Sequence, residues 1–412
     1  MTETGVLSFV IVGHVDHGKS TLIGRLLYDT DSLPPDKIEE IKKVSAGQGV
    51  RTEFAYFLDH LEEERKQGIT IDTTQVFFKT DKRRYVIIDA PGHVEFVKNM
   101  ITGASQAEAA VLIVDVSEGV REQTKRHSYM LSLLGLGQVI VVLNKMDLVG
   151  FSQERFETVK KDVGKWLGSI GIESTLFIPI SAIEGANIAN RSPDMSWYAG
   201  PTFLESMDTL KNKQPAEDKS LLFPIQDVYK VGEKRINAGR VEAGAICEGM
   251  QIKIVPSGQV TKVKSVEKFL EERTNAVASE SIGITTADSV FLERGNVVCI
   301  PGCEPQVTDR VAANIFWMSK KDFSSDEKLT IRCATQETSC RIEQIKRRID
   351  SSTLKVIEEN ANMIKNLEVA EVIIKTKKPV AIKSFNDVQE LGRFVLVRQD
   401  NICAGGIITL AD

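Results

Sequence analysis

One nine-residue stretch constrains this chain more than any other: Gly13-His14-Val15-Asp16-His17-Gly18-Lys19-Ser20-Thr21. It fits the pattern G-x-x-x-x-G-K-[ST], and it has the required setting. The apolar run Leu7–Val12 before it reads as a strand, and the residues after it open a helical pattern. Glycines let successive backbone N–H groups converge on an anion with no side chain in the way. A helix beginning at the loop adds the positive end of its dipole. Lys19 supplies a point charge for the outer phosphates of a nucleotide. The Ser20 hydroxyl suits Mg²⁺, a hard cation that prefers oxygen.

The runs Tyr85–Asp89, Val111–Asp115, Val139–Asn144 and Leu176–Ile180 repeat the character of Leu7–Val12. Each is nearly continuous apolar sequence ending in a polar residue or glycine, as expected of strands buried on both faces. Helical stripes alternate with them: Phe54, Phe57, Leu58 and Leu61, then Phe156, Val159, Val163, Trp166, Leu167 and Ile170. The first half therefore reads as an α/β domain, a mostly parallel sheet with helices on both faces. The polar segment Lys211–Lys219 carries Pro215 and reads as a linker. Beyond it come short strands with glycine turns, such as Gly239–Gly244 and Ile252–Gly258, and a second break at Pro301–Asp309. The runs Val311–Trp317, Leu329–Cys333, Glu368–Ile374 and Arg393–Val397 follow. Two antiparallel β-barrels are expected after the α/β domain, with parts at 1–212, 220–305 and 306–412.

Composition excludes some alternatives. With 42% hydrophobic and 26% charged residues, wholesale disorder is not expected. Lys plus Arg is 52 and Asp plus Glu is 57, so the formal charge is −5, which makes the chain a poor candidate for coating nucleic acid by charge alone and leaves a local basic face open. No apolar run approaches a membrane span, and Met1–Thr4 does not open a signal peptide. The cysteines, Cys247, Cys299, Cys303, Cys333, Cys340 and Cys403, form no Cys-x-x-Cys pair. Reduced thiols in the cytoplasm are expected, and no membrane partner.

Four further segments complete a nucleotide site. Asp89-Ala90-Pro91-Gly92-His93 ends a strand, where parallel sheets place ligands. Asp89 can hold Mg²⁺ through a water, the Gly92 N–H can reach a γ-phosphate, and His93 can orient an attacking water. Loss of that phosphate would release the segment. Thr70, within Gly68-Ile69-Thr70-Ile71-Asp72, can offer a hydroxyl to Mg²⁺ when a triphosphate is bound. Asn144-Lys145-Met146-Asp147 ends another strand. The Asp147 carboxylate can accept from guanine's ring N–H and exocyclic amine, a donor pair that adenine lacks. Asn144 can bridge to the phosphate loop, and the Lys145 stem can cover the base. Ser181-Ala182-Ile183 can give a backbone N–H to the guanine oxygen.

Together these segments resemble the translation-factor class of P-loop GTPases. The resemblance spans the chain and implies an α/β P-loop GTPase domain followed by two antiparallel β-barrels. It implies GTP or GDP with Mg²⁺ as ligands. By position, Gly13 to Ser20 would hold the phosphates and Thr21 would lie against the inner one. Ser20 and Thr70 would bind Mg²⁺ with Asp89 behind a water, and His93 would position the hydrolytic water. Val15 and Ile69 would gate that water. Asn144, Lys145, Asp147 and Ser181 would read guanine. Within the class, Leu26–Thr30, Glu64–Asp72, Ile254–Gly258 and Phe316–Met318 are similar to the GTPase large subunit of heterodimeric sulfate adenylyltransferase. That branch implies GTP hydrolysis coupled to adenylyl sulfate formation from ATP and sulfate by a separate small subunit. Asp89–Phe96 is closer to elongation factors of the Tu or 1-alpha type, which would make aminoacyl-tRNA the partner.

Overall fold

The computed structural model describes residues 4–33, 75–89, 107–172, 176–212, 216–232, 234–268, 271–325 and 327–409. The expected stripe Phe54–Leu61, Thr70, Ile69 and the segment Ala90–His93 lie outside the described residues. The chain divides into two units, Met1–Lys213 and Gln214–Asp412.

In the first unit, strands β1 (Thr4–Val12), β2 (Gln75–Lys79), β3 (Arg83–Asp89), β4 (Ala109–Asp115), β5 (Val139–Asn144) and β6 (Leu176–Pro179) form one sheet in the order β2-β3-β1-β4-β5-β6. All neighbours are parallel except β2 against β3, an edge strand that the apolar runs did not announce. Helices α1 (Lys19–Asp29), α2 (Glu122–Leu133), α3 (Gln153–Ser169) and α4 (Phe203–Met207) accompany it. Along β1, Leu7, Phe9 and Ile11 pack with Leu22, Ile23 and Leu26 of α1. Val10 and Val12 on the other side are buried as well, as are Leu112, Val114, Val141 and Leu143. Burial on both sides is why these strands read as unbroken apolar sequence. The stripe Phe156, Val159, Val163 and Leu167 is the buried side of α3, whose start is capped by Ser152 Oγ accepting from the Arg155 amide at 3.3 Å.

The second unit holds two barrels. The first contains β7 (Leu222–Val231), β8 (Lys234–Arg240), β9 (Ala245–Cys247), β10 (Gln251–Val255), β11 (Val260–Lys268), β12 (Glu271–Arg273), β13 (Asn275–Val277), β14 (Ser281–Thr286) and β15 (Val297–Cys299). The order β10-β15-β7-β8-β14-β11 closes by pairing β10 with β11, and β12 hangs on β11. The second contains β16 (Gln306–Trp317), β17 (Phe323–Ser324), β18 (Leu329–Cys333), β19 (Gln336–Asp350), β20 (Val356–Ala361), β21 (Met363–Ile364), β22 (Glu368–Ile382), β23 (Arg393–Arg398) and β24 (Asn401–Ile408). Here β18-β23-β24-β16-β22-β19 closes through β18 and β19. Closure leaves no open edge in either ring, the usual antiparallel solution to the edge problem. A shared apolar seam joins Leu222, Val255, Val297 and Cys299 of the first barrel to Ala381, Val388 and Leu391 of the second.

Candidate functional site

Parallel strands end at one edge, and the register brings the ends together. Ile11 pairs with Asp89, Val12 with Leu112, Asp115 with Asn144, and Leu143 with Pro179. Gly13–Thr21 follows the end of β1, Asn144–Asp147 begins at the end of β5, and Ser181–Ile183 lies just beyond β6.

The loop Gly13–Thr21 is shaped by its two glycines. A Cβ on Gly13 would run into the Ile113 side chain and lie 2.5 Å from its carbonyl oxygen. Gly18 adopts φ +88° at the start of α1, and a Cβ there would lie 2.5 Å from Asn144 Nδ2. Only glycine suits either place. Lys19, 7% exposed, turns its ammonium back over the loop and donates to the carbonyls of Gly13 at 2.8 Å and His14 at 2.9 Å. A buried cation held above a ring of backbone, at the head of an eleven-residue helix, suits a phosphate chain. Ser20 and Thr21 are half-buried in the first turn of that helix, and Asp16 is exposed.

His17 is buried in the same loop. Its Nδ1 donates to the Ile113 carbonyl at 3.2 Å, and Nε2 faces Glu118 Oε2 at 3.6 Å. Burial holds its pKa below the usual histidine value despite that carbonyl. The rings of His14 and His17 lie 5.3 Å apart. His127 of α2, also buried, has its pKa pushed down to about 3, first by burial and then by Lys19, His14, His17 and Arg126.

The segments expected to read the base meet through Asn144, 2% exposed. Its Nδ2 donates to the His17 carbonyl at 2.9 Å, the bridge to the phosphate loop expected from sequence. Its Oδ1 accepts from the Ala182 amide at 2.9 Å. Ser181 Oγ donates to Asp147 Oδ1 at 2.6 Å. Lys145 takes a left-handed backbone, φ +64°, which turns the chain into the short helix Met146–Val149. Met146 is wholly buried and its amide donates to the Ile180 carbonyl, so its side chain anchors the turn in the core. Ile183 is half-buried beside Gly185 (φ +75°), against which the Arg25 guanidinium of α1 packs.

Asp115 is the residue that sequence reading missed. It ends β4, is 2% exposed, and pairs its Oδ2 with Lys145 Nζ at 2.8 Å. Burial pushes its carboxyl up, but the Lys145 and Ser117 donors outweigh that and hold it below the usual carboxylate range. The signal was available: a carboxylate closing an apolar run at the binding edge of a parallel sheet.

For Mg²⁺, Ser20 stands at the start of α1, and Asp89 ends β3 opposite Ile11, one residue short of the loop's own strand end. Among the described residues no group of three or more His, Cys, Asp or Glu could hold a metal. An ion here would be held by a hydroxyl together with nucleotide oxygens, and the Ser20 hydroxyl suits that donor set.

Comparison with known proteins covers nearly the whole chain. Residues 4–222 match the family model of the Elongation factor Tu GTP binding domain. Residues 235–299 match Elongation factor Tu domain 2, and 310–409 match the GTP-eEF1A C-terminal domain-like model. The Elongation factor 1-alpha of Methanosphaerula palustris is 36% identical over 408 residues, covering 97% of this chain and 96% of that protein. The Elongation factor 1-alpha of Archaeoglobus fulgidus is 39% identical over 397 residues, covering 95% and 94%. A crystal structure of sup35 complexed with GDP is 24% identical, covers 100% of this chain and 96% of that one, and aligns with a TM-score of 0.45.

Proposed function

This chain belongs to the elongation factor Tu/1-alpha family of translation-factor GTPases, with GTP and GDP as its nucleotides, and from that premise we propose that it carries aminoacyl-tRNA in its GTP state and lets it go after hydrolysis. One observation carries the reading: over nearly their whole length the relatives reported above are elongation factors 1-alpha. We take the parts to be a nucleotide domain at 1–212 and barrels at 220–305 and 306–412, working in the cytoplasm. In this reading Gly13–Thr21 hold the phosphates, Asn144, Lys145, Asp147 and Ser181–Ile183 select guanine, and Ser20, Thr70 and Asp89 serve Mg²⁺. When bound, Mg²⁺ would neutralise charge on the phosphates. Catalysis would rest on positioning, with His93 aligning water, and on the Lys19 charge.

Three of the four segments behind the sulfate-activation reading lie among the described residues, and each has a packing role there, while Glu64–Asp72 lies outside them. Leu26 and Leu27 are buried in α1, Asp29 is bound by Arg25, and Thr30 caps the helix. Ile254–Gly258 is a strand end and its turn, and Phe316, Trp317 and Met318 are buried core. Packing explains these residues without a second enzyme subunit, and the relatives named above lend that branch no support.

The test is retention of labelled aminoacyl-tRNA on a filter by the full chain loaded with a non-hydrolysable GTP analogue or with GDP. Retention in the analogue state at least ~10-fold above the GDP state is expected, in line with ordinary allosteric coupling. Equal or absent retention in both states overturns the carrier. GTP-dependent stimulation of adenylyl sulfate formation by an ATP-sulfurylase small subunit would restore the sulfate branch.

A further inference from the structure

Asp115 is too deeply buried to be an ornament of the surface, and its three partners define a purpose. Oδ1 accepts from the Ser117 amide at 2.8 Å and from Ser117 Oγ at 2.6 Å, while Oδ2 takes the Lys145 ammonium at 2.8 Å. The loop that supplies Ser117 is itself pinned. Arg155 of α3 donates to the carbonyls of Val116 and Ser117, each at 2.8 Å, and the Gly119 amide returns to the Asp115 carbonyl at 2.9 Å. The Val116 amide donates to the Asn144 carbonyl at 2.9 Å, which ties this loop to the residue before Lys145. Lys145 leaves the sheet in a left-handed conformation, and its side chain is 30% exposed while its head is held at a carboxylate that is 2% exposed.

A lysine side chain otherwise samples many rotamers, and ordering it on ligand binding costs conformational entropy. Anchoring the ammonium removes most of that freedom beforehand, leaving the methylene stem as a fixed apolar surface. We propose that Asp115 is a positioning residue of the guanine site: it holds the Lys145 head so that the stem lies ready against the base plane. This rests on the guanine-reading role given to Lys145 above. Asp115 acts through Lys145 and touches no nucleotide atom, so its effect is blind to phosphate number and to the base edge read by Asp147.

The test is a double-mutant cycle read by displacement of a fluorescent GDP analogue from the full chain. Asp115→Asn is expected to weaken GDP and GTP alike by ~10-fold or more, the scale of a hydrogen bond to a charged group. The preference for GDP over XDP should stay unchanged. In a Lys145→Ala background the same substitution should change affinity less than ~2-fold, because contacting residues couple. Ser117→Ala, a milder change that keeps the ion pair, should weaken both nucleotides in the same direction, and it serves as the readout if Asp115→Asn does not fold. Wild-type affinity in Asp115→Asn, or an undiminished loss in the Lys145→Ala background, overturns the positioning role. Unchanged affinity in Ser117→Ala counts against it in the same way. Failure of the unsubstituted chain to bind GDP would instead strike the guanine-site reading itself.

Discussion

Asp147 is the residue to which we assign the choice of base, because a carboxylate can take guanine's ring N–H and exocyclic amine together, a donor pair that adenine lacks. Its Oδ1 is already oriented by Ser181 Oγ at 2.6 Å, so the group is preset for one geometry. Asp147→Asn should lower GTP affinity by at least ~100-fold and favour xanthine nucleotides, whose ring presents an acceptor there. Competition between GDP and XDP for a fluorescent analogue measures this, and unchanged preference contradicts the role. Proton uptake gives a second check at this scale. Folded His127 stays neutral down to about pH 3, whereas the unfolded chain protonates it near 6.5. Stability is therefore intact above 6.5 and lost as pH falls toward 3, at about 1.4 kcal/mol per pH unit for one histidine. Urea unfolding at pH 7.5 and pH 5.5 should show a smaller drop for His127→Gln than for the unsubstituted chain. An identical drop would mean the histidine is not the proton acceptor. Motif residues were legible because phosphate and base chemistry demand fixed residue types. Asp115 and His127 were not, because the first is defined by Lys145, 30 residues away in sequence, and the second chiefly by its burial in the folded domain.

The elements were readable in proportion to how completely they are buried. Strand Val139–Asn144 runs where its apolar sequence starts and stops, and Leu329–Cys333 does likewise in the second barrel. Strand Gln75–Lys79 was missed because Val76, Phe77 and Phe78 are all apolar and hide the alternation, although Phe77 is 63% exposed. The long strand Gln336–Asp350 was missed for the opposite reason. Its outward residues are mostly charged, and two register shifts against its neighbour Glu368–Ile382 break the period of two. Helix α3 was legible because its buried stripe repeats every three to four residues. Phe156, 2% exposed, sits at the head of that stripe against Trp197 and Tyr198. Phe156→Ala should cost about 3–5 kcal/mol, read as a lowered urea midpoint. A loss below ~1 kcal/mol would mean that the helix is not held by this stripe.

At the scale of the molecule, two closed barrels follow a nucleotide domain, an order visible in the sequence as a change from long apolar runs to short strands with glycine turns. The net charge of −5 means that any RNA bound must meet a local surface rather than a general field. Everything proposed about that partner depends first on which nucleotide the N-terminal unit accepts. The most direct measurement is isothermal titration calorimetry of the nucleotide-free chain with GDP and, separately, with ADP, in the presence of Mg²⁺. A site built from Gly13–Thr21, Asn144–Asp147 and Ser181–Ile183 takes up GDP at one site per chain and gives no saturable heat with ADP. Equal binding of the two, or no binding of GDP, would contradict it.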